Sequence, residues 1–216
     1  MDPRQKSPSA ARNRAPILAV LQRILTPHAQ VLELASGTGE HAVFFGETLA
    51  GVTWQTSDPD PGARDSIAAW IGSEGVANVL APRAIDVSAA EWDVAGPFDA
   101  MVAINMIHIS PWEATLGLMA GAGRLLRPGG VLFTYGAYKR GGAHTAPSNE
   151  SFDQWLKQID PRFGVRDLEE VEAAAHMHKI NLREIIEMPA NNLSLVFERQ
   201  KMAPSCERRA TFAIGD

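Results

Sequence analysis

The chain has little cysteine and little clustered positive charge. The single Cys206 has no partner for an internal disulfide, and basic residues form nothing longer than pairs such as Lys139-Arg140 and Arg208-Arg209. A disulfide-stapled scaffold is therefore excluded, and with a net charge of −5 no nucleic-acid partner is expected. No apolar run approaches the roughly 20 residues that span a bilayer, so no membrane partner is expected either. The opening Met1-Asp2-Pro3-Arg4-Gln5-Lys6-Ser7-Pro8 lacks the apolar centre of a signal peptide, and the expected compartment is the cytoplasm. His176 and His178 fall two apart on an expected helix, where side chains diverge, so no metal site is expected.

What is present suits a globular enzyme or binding domain. Hydrophobic residues make up 45% of the 216 and charged residues 21%, enough for one core. We expect a single domain over residues 1–200 and a mobile tail over 201–216, where periodicity is lost. No repeat is evident, and apolar runs alternate with amphipathic segments, the pattern of a doubly wound α/β sheet.

Seven strands are expected: 30–35, 52–57, 79–85, 98–105, 131–135, 181–187 and 193–199. The near-continuous apolar run of the fourth places it mid-sheet. An N-terminal helical region covers 9–25, with Pro16 a candidate start for a second segment. Further helices are expected over 39–49, 60–73, 110–126, 148–159 and 167–178. Asp60-Pro61 and Ser110-Pro111 read as N-cap followed by proline at the first helical position. Trp112, Leu116, Met119, Gly123 and Leu126 recur at steps of four and three as a candidate buried stripe. Trp70 reads as core. Residues 139–147 read as a glycine-rich loop over a pocket, and the last two strands, with no helix between them, as an antiparallel closing pair.

The most informative stretch is Val31-Leu-Glu33-Leu-Ala-Ser-Gly37-Thr-Gly39-Glu-His41, a strand, a glycine turn and a helix start. Without a β-carbon, Gly37 and Gly39 let the backbone turn tightly and a ligand approach closely. Glu33, Asp58 and Asp86 fall at the ends of successive strands, which converge on one rim of a parallel sheet. There Asp58 can accept from both hydroxyls of a ribose and Asp86 from an adenine amino group. Each acid alone can equally cap a helix; their joint placement favours an adenosine site.

With these motifs and Leu125-Leu126-Arg127-Pro128-Gly129-Gly130, the chain resembles the Rossmann-like S-adenosylmethionine-dependent methyltransferases. Asn105-Met-Ile-His108-Ile-Ser110-Pro-Trp-Glu, Tyr135-Gly-Ala-Tyr138-Lys139, Ser148-Asn149-Glu-Ser-Phe152-Asp153, Gly164-Val-Arg166-Asp167 and Met188-Pro-Ala-Asn191-Asn192 resemble, more narrowly, a methyltransferase-like family long labelled a domain of unknown function. The resemblance implies a seven-stranded, mostly parallel sheet with its last strand antiparallel, S-adenosylmethionine as cofactor and an unidentified methyl acceptor. It places Glu33, Gly37 and Gly39 at the amino acid end of the cofactor, Asp58 at the ribose, Asp86 at the adenine and Asn105 beneath the reactive methyl.

His108, just past the fourth strand, is the candidate general base, with capping of the next helix as its bland alternative. Tyr135, Asn149, Arg166 and Asn191 are candidates for the acceptor pocket, and Arg12 or Arg14 for closing over an acceptor carboxylate. The run Asn105-Met106-Ile107-His108 departs from the Asn/Asp-Pro-Pro-aromatic motif of amino-group methylation on bases and glutamine, leaving a small metabolite or protein side chain as the favoured acceptor. Oligomeric state is not readable.

Two other readings compete. Gly37-x-Gly39-x-x-Ala42, Asp58 and Tyr135-x-x-x-Lys139 formally match nicotinamide-dependent dehydrogenases, yet tyrosine and lysine meet at that spacing only on a helix, and 131–135 reads as strand. The other is a non-catalytic S-adenosylmethionine-binding module or sensor, since fold does not establish activity.

Overall fold

The computed structural model describes residues 2–201; the expected tail after Lys201, Cys206 included, lies outside the described residues. Seven strands form the main sheet. In chain order these are β1 (Gln30–Leu34), β2 (Thr53–Ser57), β3 (Val79–Arg83), β4 (Phe98–Ile104), β5 (Leu126–Gly136), β9 (Ile180–Met188) and β10 (Asn192–Arg199). Their spatial order is β3-β2-β1-β4-β5-β10-β9. The first five run parallel, and β10 pairs antiparallel with both β5 and β9. The chain thus has the doubly wound, mostly parallel sheet expected, with the last strand reversed. Order reverses between β1 and β4, which opens a crevice at the carboxyl ends of these strands.

Helices cover both faces, as a parallel sheet requires. On one face α1 (Pro8–Ile24) and α2 (Glu40–Thr48) bury Ile17, Leu21 and Phe45 against Val31, Trp54 and Phe133. Pro16 lies inside α1 and starts no second segment. Next along the chain is α3 (Pro61–Glu74), capped as expected by Asp60, whose carboxylate accepts from the Ala63 N–H at 2.7 Å. Trp70 is half-buried, with its indole donating to the Gln5 carbonyl. On the opposite face α4 (Trp112–Leu125) and α6 (Leu168–His176) pack Leu118, Met119, Val171 and Ala175 on Leu32, Met101 and Leu132.

Two expectations about α4 are corrected. The stripe on α4 is rotated: Ala114, Thr115, Leu118, Met119, Gly121 and Ala122 face inward, and Leu116 is 43% exposed. Small residues turn inward because the helix runs against the segment after β3. A Cβ on Gly117 would sit 2.0 Å from the Val87 carbonyl oxygen, and one on Gly121 2.1 Å from the Trp92 ring. Ser110 does not cap α4; its hydroxyl donates back to the Met106 carbonyl, and Pro111 holds the cap position.

Residues 139–147 are not an irregular loop. They form β6 (Tyr138–Arg140) and β7 (Ala143–His144), completed into a small sheet by β8 (Arg166–Asp167). Gly141 and Gly142, at φ +57° and +78°, make the two-residue hairpin turn that left-handed glycines favour. The remaining helix, α5 (Pro147–Ile159), packs Leu156 beside Ala137 and Val165.

Because the obstacle at Gly117 is main chain, Gly117→Ala must displace either α4 or Val87-Ser88. We expect a loss of roughly 1–3 kcal/mol in denaturant unfolding, the usual cost of overpacking; an unchanged midpoint would show that the contact is loose.

Candidate active site

The crevice at the sheet's switch point contains a cavity of about 710 Å³. Its floor is the turn between β1 and α2. Ala35, Gly37 and Gly39 adopt φ of +53°, +57° and +89°. At Gly39 a side chain is doubly excluded, since its Cβ would lie 2.8 Å from the Ile67 Cα; at Gly37 the same position is open space facing the cavity.

Glu33 and Asp58 rise beside this turn, both buried and both lining the cavity. Asp58 accepts from the Gly37 N–H at 2.9 Å through one oxygen and from the Asp60 N–H at 3.0 Å through the other. Burial nevertheless pushes its pKa upward. Glu33 accepts from the Trp54 indole at 3.1 Å, and burial, against the hydrogen bonds from Trp54 and Ser36 and reinforced by the Asp58 charge, raises its pKa to about 7. Asp86 is an exposed rim residue that accepts from both the N–H and the hydroxyl of Ser88. Asn105 reaches the cavity from the carboxyl end of β4, at φ +60° and with its N–H on the Tyr135 carbonyl.

The amino-terminal segment closes one side. The Ser7 N–H donates to Glu40, the Gln5 N–H to Ser66 at 2.8 Å and the Trp70 indole to the Gln5 carbonyl at 2.9 Å. Arg4 stacks over Trp70 at 5.1 Å. Ser7, Ser9 and Ala10 thereby become cavity wall, which composition and periodicity gave no means of seeing.

All the expected cofactor residues except Gly39, which shapes the turn from behind, line this one cavity. The expected acceptor residues do not. Tyr135 is buried behind the wall with Asn13 and Asn192 at its hydroxyl. Asn149 donates to the Asn191 carbonyl at 2.9 Å and Asn191 to the Ser148 hydroxyl at 3.0 Å, so the pair ties α5 to the turn between β9 and β10. Arg166 donates to the carbonyls of Ser110 and Arg162 at 2.7 and 2.6 Å and to that of Ile107 at 3.4 Å. It is a staple across the segment that follows β4. Arg14 is exposed, lying 4.5 Å over the Phe44 ring, and Arg12 is exposed too.

His108 does not line the cavity either. Its ring lies against Gly136, where a Cβ would be 2.4 Å away, and edge-on to Phe152 at 5.3 Å. Burial and the nearby Arg166 charge lower its pKa to about 4, so it is a neutral wedge at neutral pH. Sequence reading passed over His41, which does line the cavity and bonds Asn13 through Nε2 at 2.7 Å. Its place in the first turn of α2, two residues after Gly39, was the available signal. Tyr135 and Lys139 lie on strands β5 and β6, and Lys139 faces Asp153 at 3.8 Å, so the reductase-like match has no helical geometry behind it.

Residues 4–199 match the family described as Protein of unknown function (DUF938). The chain belongs to this family. Solved structures show that the DUF938 chain shares its fold with methyltransferases. The S-adenosylmethionine-dependent methyltransferase SibL is 17% identical at a TM-score of 0.74, over 89% of this chain and 56% of that one. An O-methyltransferase family protein from Burkholderia thailandensis is 16% identical at 0.76, over 90% and 58%. A candidate sarcosine dimethylglycine methyltransferase from Galdieria sulphuraria is 16% identical at 0.68, over 90% and 87%. The DUF938 chain thus spans little more than half of the first two. No helix among the described residues is long and apolar enough to cross a membrane, and none of their His, Cys, Asp and Glu side chains gather into a metal-binding group.

Glu33 sets a pH dependence of stability. Its pKa is raised on folding, so its proton favours the folded state below about pH 4.5, and that contribution is lost as pH rises through about 7. Relative to Glu33→Gln, the wild-type protein should lose on the order of 3 kcal/mol of unfolding free energy between pH 4.5 and 8. Parallel stability profiles would show that Glu33 is ionised throughout.

Proposed function

We propose that this chain is an S-adenosylmethionine-dependent methyltransferase acting on a small metabolite or a protein side chain. The observation that carries the reading is the gathering of Glu33, Gly37, Asp58, Asp86 and Asn105 around one cavity. The residues present suit the cofactor. Gly37 leaves open space where any other side chain would stand. Each Asp58 oxygen makes one hydrogen bond to a backbone N–H and keeps lone-pair capacity for a ribose hydroxyl. Asp86 stands further along the rim for the adenine. Glu33 supplies a buried negative counterpart for the cationic methionine end. The bound cofactor supplies a methyl group on a sulfonium, ready for direct displacement.

On this reading the protein's share of catalysis is alignment and exclusion of water. Asn105, in a left-handed conformation that points the main chain back toward β5, holds a polar side chain at the cavity wall. We assign His108 to positioning: wedged on Gly136, it fixes the turn that carries Asn105. Arg166 supports the same turn from the other side by binding its carbonyls. The neighbouring methyltransferases' names support the class of chemistry.

The test is calorimetric titration of the purified chain with S-adenosylmethionine, S-adenosylhomocysteine and reduced nicotinamide dinucleotides. Saturable binding of the adenosyl compounds alone is expected, and Asp58→Asn should weaken it tenfold or more through lost ribose bonds. Undiminished affinity in a folded Asp58→Asn protein removes Asp58 from the site, and selective nicotinamide binding overturns the reading. Transfer of labelled methyl into metabolite or protein pools then fixes the acceptor class, whereas binding without transfer to either identifies a sensor.

A further inference from the structure

Glu33 on β1 and Asp58 just past the end of the adjacent β2 are both buried and line the same cavity, and neither forms an ion pair with a lysine, arginine or histidine among the described residues. Two carboxylates at close quarters in a low-dielectric site do not both ionise freely; the less well solvated one holds a proton until a cation arrives. The hydrogen bonds say which is which. Asp58 accepts two main-chain N–H bonds and has Arg64 nearby to favour its charge, though Asp60 opposes it. Glu33 has only the Trp54 indole and the Ser36 hydroxyl.

Resting on the reading of this cavity as the S-adenosylmethionine site, we infer that Glu33 carries a proton in the ligand-free protein and releases it to solvent when the cofactor binds. The carboxyl O–H bond breaks, the proton passes to buffer, and the carboxylate faces the ligand's positive charge. Cofactor uptake is then an exchange of one cation for another, and affinity depends on pH.

The other charged groups around Glu33 leave this exchange to it. Asp58, just after β2, strengthens its hold on the proton. His41, facing the cavity from α2, is held neutral at neutral pH by burial and Arg14, with a pKa near 4. Glu40, on the same helix, is engaged by the Ser7 N–H and the Thr38 hydroxyl, and Asp86 by Ser88. No lysine lines the cavity; its one arginine, Arg162, is paired with Asp160 at 2.7 Å and has Glu113, which lines the cavity from α4, nearby.

The experiment is calorimetric titration of the full chain with S-adenosylmethionine at pH 6, 7 and 8, in two buffers of different ionisation enthalpy, which counts the protons released. Wild type should release close to one proton per ligand at pH 6 and few at pH 8, with affinity rising toward tenfold per pH unit at the acid end and levelling above pH 7. Glu33→Gln should abolish the release, and its residual count subtracts the ligand's own amino group. Should that variant fail to fold, infrared difference spectra of the wild type at pH 6 read the same event directly, as loss of a protonated-carboxyl band on adding ligand. Tight binding with equal proton counts in wild type and Glu33→Gln, or with no carboxyl band lost, overturns the exchange and leaves the cofactor assignment standing. Failure of folded wild type to bind at any pH overturns both.

Discussion

The site depends on one side chain reaching across the crevice. Asp58 takes the Gly37 N–H from the turn after β1 and the Asp60 N–H from the turn after β2, so two loops that ligands must enter between are fixed to each other. The neighbouring main chain repeats the link, with the Ser36 N–H on the Ser57 carbonyl and the Asp58 N–H on the Arg83 carbonyl. A carboxylate so held is buried at a cost, and that cost falls on its neighbour. Glu33 sits buried beside it, with the Asp58 charge opposing its ionisation.

Much of the fold was legible because its signals are local. The parallel strands β1, β4 and the later half of β5 announce themselves as largely apolar runs, and Asp60-Pro61 marks the start of α3 correctly. The three strand-end acids and the glycine turn converge as their sequence positions imply, since the parallel sheet alone puts strand ends on one rim. The same logic failed for Ser110, where a hydroxyl chose the Met106 carbonyl over the helix N-terminus. It failed on α4 because Gly117 and Gly121, invisible to hydrophobic periodicity, make the close contacts with the segment after β3. Gly141-Gly142 was a hairpin signal read only as part of a loop.

The expected acceptor-side residues lie outside the cavity for a different reason. Tyr135, Asn149, Arg166 and Asn191 occupy motifs, and polar residues in motifs invite a ligand-binding interpretation. In the structure their donors and acceptors are met mainly by the protein itself, largely by main-chain groups. Buried polar groups need partners, and a side chain that satisfies a loop's carbonyls can matter as much to a site as one that touches ligand. The amino-terminal strap was missed because its place on the wall is set by tertiary contacts, and His41 because its position two residues after Gly39 was not taken as a signal.

The Arg166 staple has a consequence for how the chain is made. Every residue bordering the cavity except Arg162 is translated by Ala114, yet the guanidinium that holds the Ile107 and Ser110 carbonyls arrives some fifty residues later, and β10, which covers β5, later still. A nascent chain halted at the end of α4 would own the glycine turn and its acids without the brace that fixes the Asn105 turn. Contacts of such long range form late, after their loop-closure entropy has been overcome. The binding surface is written early in the sequence and becomes rigid only near its end.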